Sequence, residues 1–178
     1  MITTATTVTA ATTAQVWQWL EQVPDPEIPV VSVVELGIVR NVMFEADGTC
    51  VVTITPTYSG CPAMVTIAEN IRAVLAEQGV ACFRLDTQLA PAWTTDWMSA
   101  DAGRKLKEYG IAPPRGCAAG YQAIDISALR RGSVEADVPC PRCGAMHTRL
   151  VSRFGSTSCK SLYVCQSCRE PFDYFKSH

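Results

Sequence analysis

Four cysteines near the C-terminal end have the spacing of a metal site. They form two C-x2-C pairs, "CPRCG" and "CQSCR", and each pair can make a tight turn that presents two thiolates. Because so short a segment buries little core, metal binding would supply the missing free energy of folding. The sequence therefore predicts a zinc ribbon over residues 138–178, with zinc bound by Cys140, Cys143, Cys165 and Cys168. A single iron in the same four thiolates, or an iron–sulfur cluster, is the alternative.

A separate cysteine, in "TPTYSGCPAM", lies where a strand should end and a helix begin. Pro62 is favoured at the first helical position, because its missing N–H has no partner there in any helix. A thiolate at a helix N-terminus faces the positive end of the helix dipole, so we predict that the pKa of Cys61 is lowered. Such a thiol would serve as a nucleophile or a metal ligand. Because cysteine is also a common small core residue, packing is the alternative role of Cys61.

Two carboxylates, Asp25 and Glu27, lie in the proline-rich stretch "PDPEIPV". They are either metal ligands or residues that cap a turn. The sequence has no set of residues for a Ser/His/Asp triad, because its histidines are His147 and His178 alone. It also lacks a P-loop and a dinucleotide fingerprint. An ordinary hydrolase or dehydrogenase is therefore not supported.

The remaining cysteines carry weaker signals. Cys159, in "GSTSCK", lies outside the paired pattern and is either a small strand residue or a reserve ligand or contact point. Cys117 lies in a stretch rich in proline, glycine, alanine and charge, and we expect it to be incidental. His147 follows the first cysteine pair and is expected to be a surface residue.

Composition and charge bound the class of protein. The chain has 178 residues, nine cysteines and a net charge of −2, and its N-terminus lacks the basic and apolar segments of a signal peptide. Cysteines in a protein without an export signal are expected to be thiols in a reducing cytoplasm, used for metal or redox chemistry. Because the basic residues are dispersed and the chain is acidic, we expect no nucleic-acid partner and no membrane partner.

Periodicity predicts the elements that must position these residues. Helices are expected at 12–23, from Pro62 to Gly79, and at 99–109, and strands at 38–44, 50–55 and 80–85. This order predicts an α+β fold, a small sheet with helices on one face, followed by the zinc ribbon. The predicted domains are residues 12–114 and 138–178, joined by a linker at 115–137 that contains at most one helical turn. Three short strands are expected within the ribbon.

Several longer motifs resemble known families. "DPEIPVVSVVELGIV", "YSGCPAM", "APAWTTDWM" and "LKEYGIAPP" are similar to the iron–sulfur assembly domain of SufT-like and cytosolic cluster-targeting proteins, a similarity that covers residues 15–114. "CPRCGAMHT" and "FGSTSCKSLYVCQSCREPFDYFK" resemble the C-terminal region of the PaaD family, accessory subunits of the bacterial phenylacetyl-CoA epoxidase (ring-1,2-epoxidase) system. Together they give a resemblance to that family along nearly the whole chain.

The resemblance implies a role in aerobic phenylacetate degradation, as an accessory subunit that helps to mature iron–sulfur or di-iron centres and has no activity alone. It places the family's acidic loop on Asp25 and Glu27 and its reactive cysteine on Cys61, where iron or a cluster would be held transiently. The implied partners are the oxygenase, the iron–sulfur flavin reductase, or both. A structural scaffold subunit and an electron carrier with iron in the tail cysteines are the alternatives, and a homodimer is left open.

Overall fold

The computed structural model describes residues 11–58, 60–114 and 138–177. We call residues 11–114 the body and residues 138–177 the ribbon. The helices are α1 (Thr13–Leu20), α2 (Ala63–Glu77) and α3 (Ala100–Tyr109). The strands are β1 (Val39–Phe44), β2 (Cys50–Ile54), β3 (Phe83–Thr87), β4 (Ile111–Ala112), β5 (Thr148–Ser152), β6 (Lys160–Cys165) and β7 (Pro171–Phe175).

The body is built on a three-stranded sheet in the order β1-β2-β3. β1 and β2 form an antiparallel hairpin whose turn contains Gly48 at a φ of +84°, as expected for an Asp-Gly turn. β3 pairs with β2 in parallel. The chain therefore needs a crossover between these two strands, and α2 provides it.

α2 packs its apolar stripe into the body core and begins directly after the Cys61 loop. Ile67, Ile71 and Leu75 are fully buried, at spacings that place them on one face of the helix. Pro62 is the N-cap of α2 and not its first helical residue, so Cys61 lies immediately before the cap. The buried face of this helix fixes where its N-terminal end lies relative to the sheet.

The ribbon forms a second sheet, in the order β4-β7-β6-β5. The antiparallel strands β5, β6 and β7 are the three short strands that the sequence predicts. β4 comes from the end of the body and pairs in parallel with β7, with Ile111 opposite Asp173. The α+β fold class with a C-terminal ribbon is confirmed, whereas the domain limits 12–114 and 138–178 stay a prediction and the linker lies outside the described residues.

The ribbon also contributes to the core of the body. Cys159 and Phe175 are 5% and 1% exposed and belong to the same buried cluster as Ile67 and Ile71. The Phe175 ring packs against Trp93, with 6.1 Å between ring centroids. The indole N–H of Trp93 in turn donates to the carbonyl of Leu36 at 2.9 Å. The two cysteine-bearing regions are therefore packed against each other.

One predicted strand begins later than its sequence pattern suggests. The prediction was 80–85, but β3 begins at Phe83 because Val80 is tied to the end of α2 by a hydrogen bond to the carbonyl of Leu75. Cys82 therefore precedes the strand and is exposed. α1 likewise ends at Leu20, three residues before the predicted limit at Val23.

Candidate metal sites

The four tail cysteines come together between two tight turns of similar geometry. In the first turn the N–H of Gly144 donates to the carbonyl of Cys140, and in the second the N–H of Arg169 donates to the carbonyl of Cys165. Both donors have positive φ, +74° for Gly144 and +64° for Arg169. Each turn thereby directs its two thiols towards the other turn.

The arrangement fits one metal ion. All four Sγ atoms lie within 4.8 Å of one another. With Zn–S bonds of about 2.3 Å, a regular tetrahedron places its sulfurs about 3.8 Å apart. The Sγ atoms of Cys140 and Cys168 are 3.8 Å apart, and those of Cys143 and Cys165 are 3.6 Å apart. A cluster would bind its thiolates to different irons and hold them farther apart, so these separations suit a single ion.

Two of the four thiols, Cys165 and Cys168, differ in how readily they ionise. The backbone N–H of Cys168 is the main reason that the pKa of Cys165 falls to about 6. The backbone N–H of Glu170 lowers the pKa of Cys168, but burial and the neighbouring thiols raise it to about 12. The group therefore has one thiol that ionises readily and one that resists, as expected when like charges crowd together.

Cys61 lies in the loop before α2, half-buried. Its N–H donates to the carbonyl of Tyr58 at 3.1 Å, and its carbonyl accepts from the N–H of Met64 at 3.3 Å. These two hydrogen bonds hold the thiol beside the backbone N–H groups of Ala63 and Met64 at the helix N-terminus, as the sequence predicts.

The predicted lowering of the Cys61 pKa is wrong. Burial raises the pKa of the Cys61 thiol above its ordinary value, and the carboxylates of Glu27 and Asp25 raise it further. The N–H groups of Ala63 and Met64 do lower the pKa, as the helix-dipole argument requires, and that of Ala63 is the largest cause after burial, but together they do not offset burial and the two carboxylates. Since burial and like charge outweigh the dipole, the pKa of Cys61 is raised and its thiol ionises less readily than that of an ordinary cysteine.

Asp25 caps the turn of its own loop. Its Oδ1 accepts from the N–H groups of Glu27 and Ile28 at 2.9 and 2.8 Å, and the residue is 7% exposed. Burial raises the pKa of this carboxyl, while the two N–H donors and the charge of Lys160 lower it by less. The loop is closed by the N–H of Asp25, which donates to the carbonyl of Val31.

The structure brings Cys159, which the sequence singled out only weakly, to the same place. Cys159 lies in the turn just before β6, and its Sγ is 3.9 Å from Oε2 of Glu27 and 3.0 Å from Oγ1 of Thr157. Burial raises the pKa of its thiol, and the Glu27 and Cys61 side chains raise it further. Cys159 and Cys61 are far apart in sequence, so only the packing of the ribbon on the body relates them.

These side chains line one narrow cavity of about 10 Å³, close to the size of one water molecule. Two thiols and two carboxylates face it, together with apolar residues of both the body and the ribbon. The polar and thiol side chains are Asp25, Glu27, Thr57, Cys61 and Cys159. Among the described residues, the four tail cysteines are the one group of three or more potential metal ligands whose ligand atoms all lie within 4.8 Å of one another. We call the cavity lined by Asp25, Glu27, Cys61 and Cys159 the interface site, and its ligand atoms are less closely gathered than those of the ribbon site.

The other sequence candidates lie outside both sites. Cys50 is fully buried in β2, where burial raises the pKa of its thiol. His147 is exposed, and its carbonyl accepts from the N–H of Gln166, which joins the two cysteine-bearing turns. Cys117 lies outside the described residues. Within the part of the chain that the structure covers, no helix is long and apolar enough to cross a membrane.

Two family models match the chain. One describes an iron–sulfur cluster assembly protein and matches residues 13–80, which contain Asp25, Glu27 and Cys61. The other describes the PaaD zinc beta ribbon domain and matches residues 126–176, which contain the four tail cysteines and Cys159. The two matches together therefore include every candidate ligand discussed above.

Known proteins are similar over different parts of the chain. An Fe-S protein maturation auxiliary factor from Porphyromonas gingivalis is 42% identical over 88 residues, which cover 49% of this chain and 83% of that protein. The crystal structure of a DUF59 domain of unknown function from Bacillus anthracis has a TM-score of 0.50 and 30% identity, covering 53% of this chain and 90% of that one. Both relatives are therefore similar to about half of the chain.

One relative spans both regions. A protein from Escherichia coli (strain K12), named as a putative subunit of 1,2-phenylacetyl-CoA epoxidase, is 49% identical over 162 residues, 91% of each chain. With the match to the PaaD zinc beta ribbon model, this similarity shows that the chain belongs to the PaaD family of 1,2-phenylacetyl-CoA epoxidase subunits.

Proposed function

We propose that this protein is a maturation subunit of a phenylacetyl-CoA epoxidase system, which assists the assembly of iron–sulfur or di-iron centres and has no catalytic activity alone. Two similarities support the proposal. The relative that spans the chain is named as an epoxidase subunit, and a relative of the body is named as an Fe-S protein maturation factor. The proposed partners are the oxygenase, the iron–sulfur flavin reductase, or both, in the cytoplasm.

The observation that carries the proposal is the position of Cys61. The thiol faces a cavity that it shares with Asp25 and Glu27, beside the backbone N–H groups of Ala63 and Met64 at the start of α2. Thiolates bind iron in clusters, and carboxylates bind it in di-iron centres, so this mixture suits iron in either setting. Because burial and like charge raise the pKa of this thiol, loss of its proton on binding iron is costly, which favours temporary over permanent binding.

The metal of the ribbon is proposed to be zinc, in a structural role. Four thiolates around one ion leave no open position for a substrate or for exchange, as in structural zinc sites. The match to a zinc ribbon model supports the same choice. A single iron would also fit the sulfur positions, and visible absorption distinguishes the two, because zinc thiolates are colourless.

Co-expression tests the proposed role. The oxygenase and reductase subunits would be produced with the wild-type protein, with Cys61→Ser or with Cys82→Ser, at equal protein levels. We expect Cys61→Ser to lower both the iron content of a partner and ring epoxidation, while zinc and fold are retained. Cys82→Ser is the matched control, because Cys82 is exposed and away from both sites, and it should behave as the wild type.

Full iron content and full epoxidation with Cys61→Ser would contradict the maturation role. They would instead support a scaffold in which Cys61 only packs, a function that its half-buried position also suits.

A further inference from the structure

We propose that Cys159 is a second thiolate ligand for the iron that Cys61 handles, so that the ribbon completes the metal-handling site of the body. The inference rests on the proposed role of Cys61. It adds a ligand from the ribbon, a region that a different family model matches, and it assigns the ribbon a part in iron handling besides binding its own metal.

The geometry places Cys159 as a ligand and not as a distant core residue. Its Sγ lies 3.9 Å from a carboxylate oxygen of Glu27 and faces the cavity that Cys61 lines. The side chain is 95% buried, so few other partners can reach it. The thiol is also held in place, because Oγ1 of Thr157 hydrogen-bonds to it at 3.0 Å.

Contacts around the thiol hold the ribbon at this position. Phe175, next to the site, is buried against Trp93. A hydrogen bond joins the Tyr58 side chain of the body to Ser158 of the ribbon. The N–H of Lys176 donates to the carbonyl of Cys159, which ties the turn to the end of β7. The two thiols are therefore brought together by the same packing that joins the sheets.

The chemistry of this ligand set suits ferrous iron. Cys61 and Cys159 would each lose a thiol proton to the solvent and bind the ion as thiolates, and Glu27 would supply a carboxylate oxygen. No oxidant or reductant is needed, because the ion keeps its charge and two protons leave per ion bound. The cavity is small, and its ligand atoms are not gathered as closely as those of the four tail cysteines, which we call the ribbon cage. Side chains must therefore adjust when the ion enters.

Cobalt(II) binding to the zinc-loaded full-length protein tests this assignment. Cobalt(II) accepts thiolate ligands like ferrous iron, absorbs through thiolate-to-metal charge transfer, and binds more weakly than zinc, so it leaves the ribbon metal in place. We expect the wild type to bind one further ion with charge transfer from two thiolates. Cys159→Ser should reduce the charge-transfer intensity per ion by about half and weaken binding by about tenfold or more, since even lost outer ligand contacts cost 10–100-fold.

Cys159→Ala is the second variant, in case a serine hydroxyl binds the ion or disturbs packing. Both variants would be checked for an unchanged ribbon zinc content, and Cys82→Ser is the control for loss of an unrelated thiol. Unchanged cobalt binding in Cys159→Ser and Cys159→Ala, with loss in Cys61→Ser, would overturn the inference and leave the maturation role intact. Absence of a second bound ion in the wild type would also overturn it. The wild type could bind cobalt through two thiolates while the epoxidase keeps its full iron content when co-expressed with Cys61→Ser. That outcome would contradict the maturation role alone.

Discussion

The two cysteine sites differ in how the chain assembles them. The ribbon cage comes from two local turns of similar geometry, and its four thiols are already close enough for one ion. The interface site draws Asp25 and Glu27 from one loop, Cys61 from the start of a helix, and Cys159 from the ribbon. A locally built cage suits a metal that stays, whereas we propose that a site formed where the body and the ribbon meet is loaded and emptied.

The two sites also differ in whether their residues are proposed to serve folding or metal handling. Four thiolates leave no open position on a bound ion, so the proposed contribution of the cage is to the folding of a ribbon with little core of its own. The interface site contains the buried carboxyl of Asp25 and the thiols of Cys61 and Cys159, whose pKa values are raised, which is a cost to the folded protein when they ionise. Groups kept at such a cost are candidates for function.

The largest expected effect is loss of the ribbon metal. Cys140→Ser removes one of four thiolates from a type of site that supplies about 10–16 kcal/mol of binding free energy in small zinc peptides. We expect the ribbon to lose its metal and unfold, and the interface site to disappear with it. Elemental analysis and limited proteolysis would measure the two effects. Metal retained at one ion per chain would show that the cage is not assembled as described.

A smaller loss is expected from the packing between ribbon and body. Phe175→Ala removes a ring that is 1% exposed against Trp93, at a cost of about 3–5 kcal/mol. The ribbon should keep its metal but separate more readily from the body, so that Cys159 becomes open to alkylation. Chemical denaturation and mass spectrometry after alkylation would detect these changes.

Leu75→Ala is the matched control for that experiment. Leu75 is fully buried in α2, and its truncation should cost about 2–5 kcal/mol. It should lower the melting temperature without increasing alkylation of Cys159 in the folded protein. Equal exposure of Cys159 in both variants would mean that Phe175 has no particular part in joining the ribbon to the body.

Thiol reactivity gives a milder test of the interface site. Because burial and the nearby carboxylates raise the pKa of Cys61, its thiolate fraction is small at neutral pH. We expect exposed Cys82 to be alkylated before Cys61, and alkylation of Cys61 to accelerate as the pH rises towards its pKa. Timed alkylation followed by peptide mass spectrometry measures the order. Faster alkylation of Cys61 than of Cys82 would mean that the helix dipole lowers the pKa of Cys61 more than burial raises it.

The smallest expected effect concerns Asp25. Its folded-state pKa lies above that of the unfolded chain, so its contribution to stability is present below the ordinary pKa and is lost as the pH rises through the folded value. Asp25→Asn removes the charge and keeps an oxygen for the N–H groups of Glu27 and Ile28. We expect a higher melting temperature at neutral pH and no gain in acid. A lower melting temperature at neutral pH would mean that the charge stabilises the loop.

Sequence reasoning succeeds where the information is local. The C-x2-C spacing is sufficient for the cage, because each turn sets two thiols by itself. The apolar stripe of α2 likewise determines its buried face. The alternation in β1 and β2 was sufficient to predict both strands, but their buried side chains do not alternate. The position of Cys61 before a helix follows from the change of periodicity at Pro62.

The features that could not be predicted from the sequence depend on packing between residues that are far apart in the chain. Cys159 shares no spacing with Cys61, and its one available signal was that it is a fifth cysteine outside the paired pattern. The pKa of Cys61 was predicted with the wrong sign because the helix dipole is visible in the sequence, whereas burial and the approach of Glu27 are not. β4 was missed because two residues give no periodicity, and it exists only by pairing with β7.

Transfer of iron to a partner tests the central claim most directly. The zinc-containing full-length protein would be loaded with ferrous iron and sulfide under anaerobic conditions and mixed with the iron-free flavin reductase or the iron-free oxygenase. Iron and zinc would then be measured on each protein. The account predicts that the wild type transfers iron to a partner and keeps its zinc, and that Cys61→Ser transfers none although its zinc is intact. Equal transfer by Cys61→Ser, or loss of zinc from the wild type during transfer, would contradict the assignment of iron handling to the interface site.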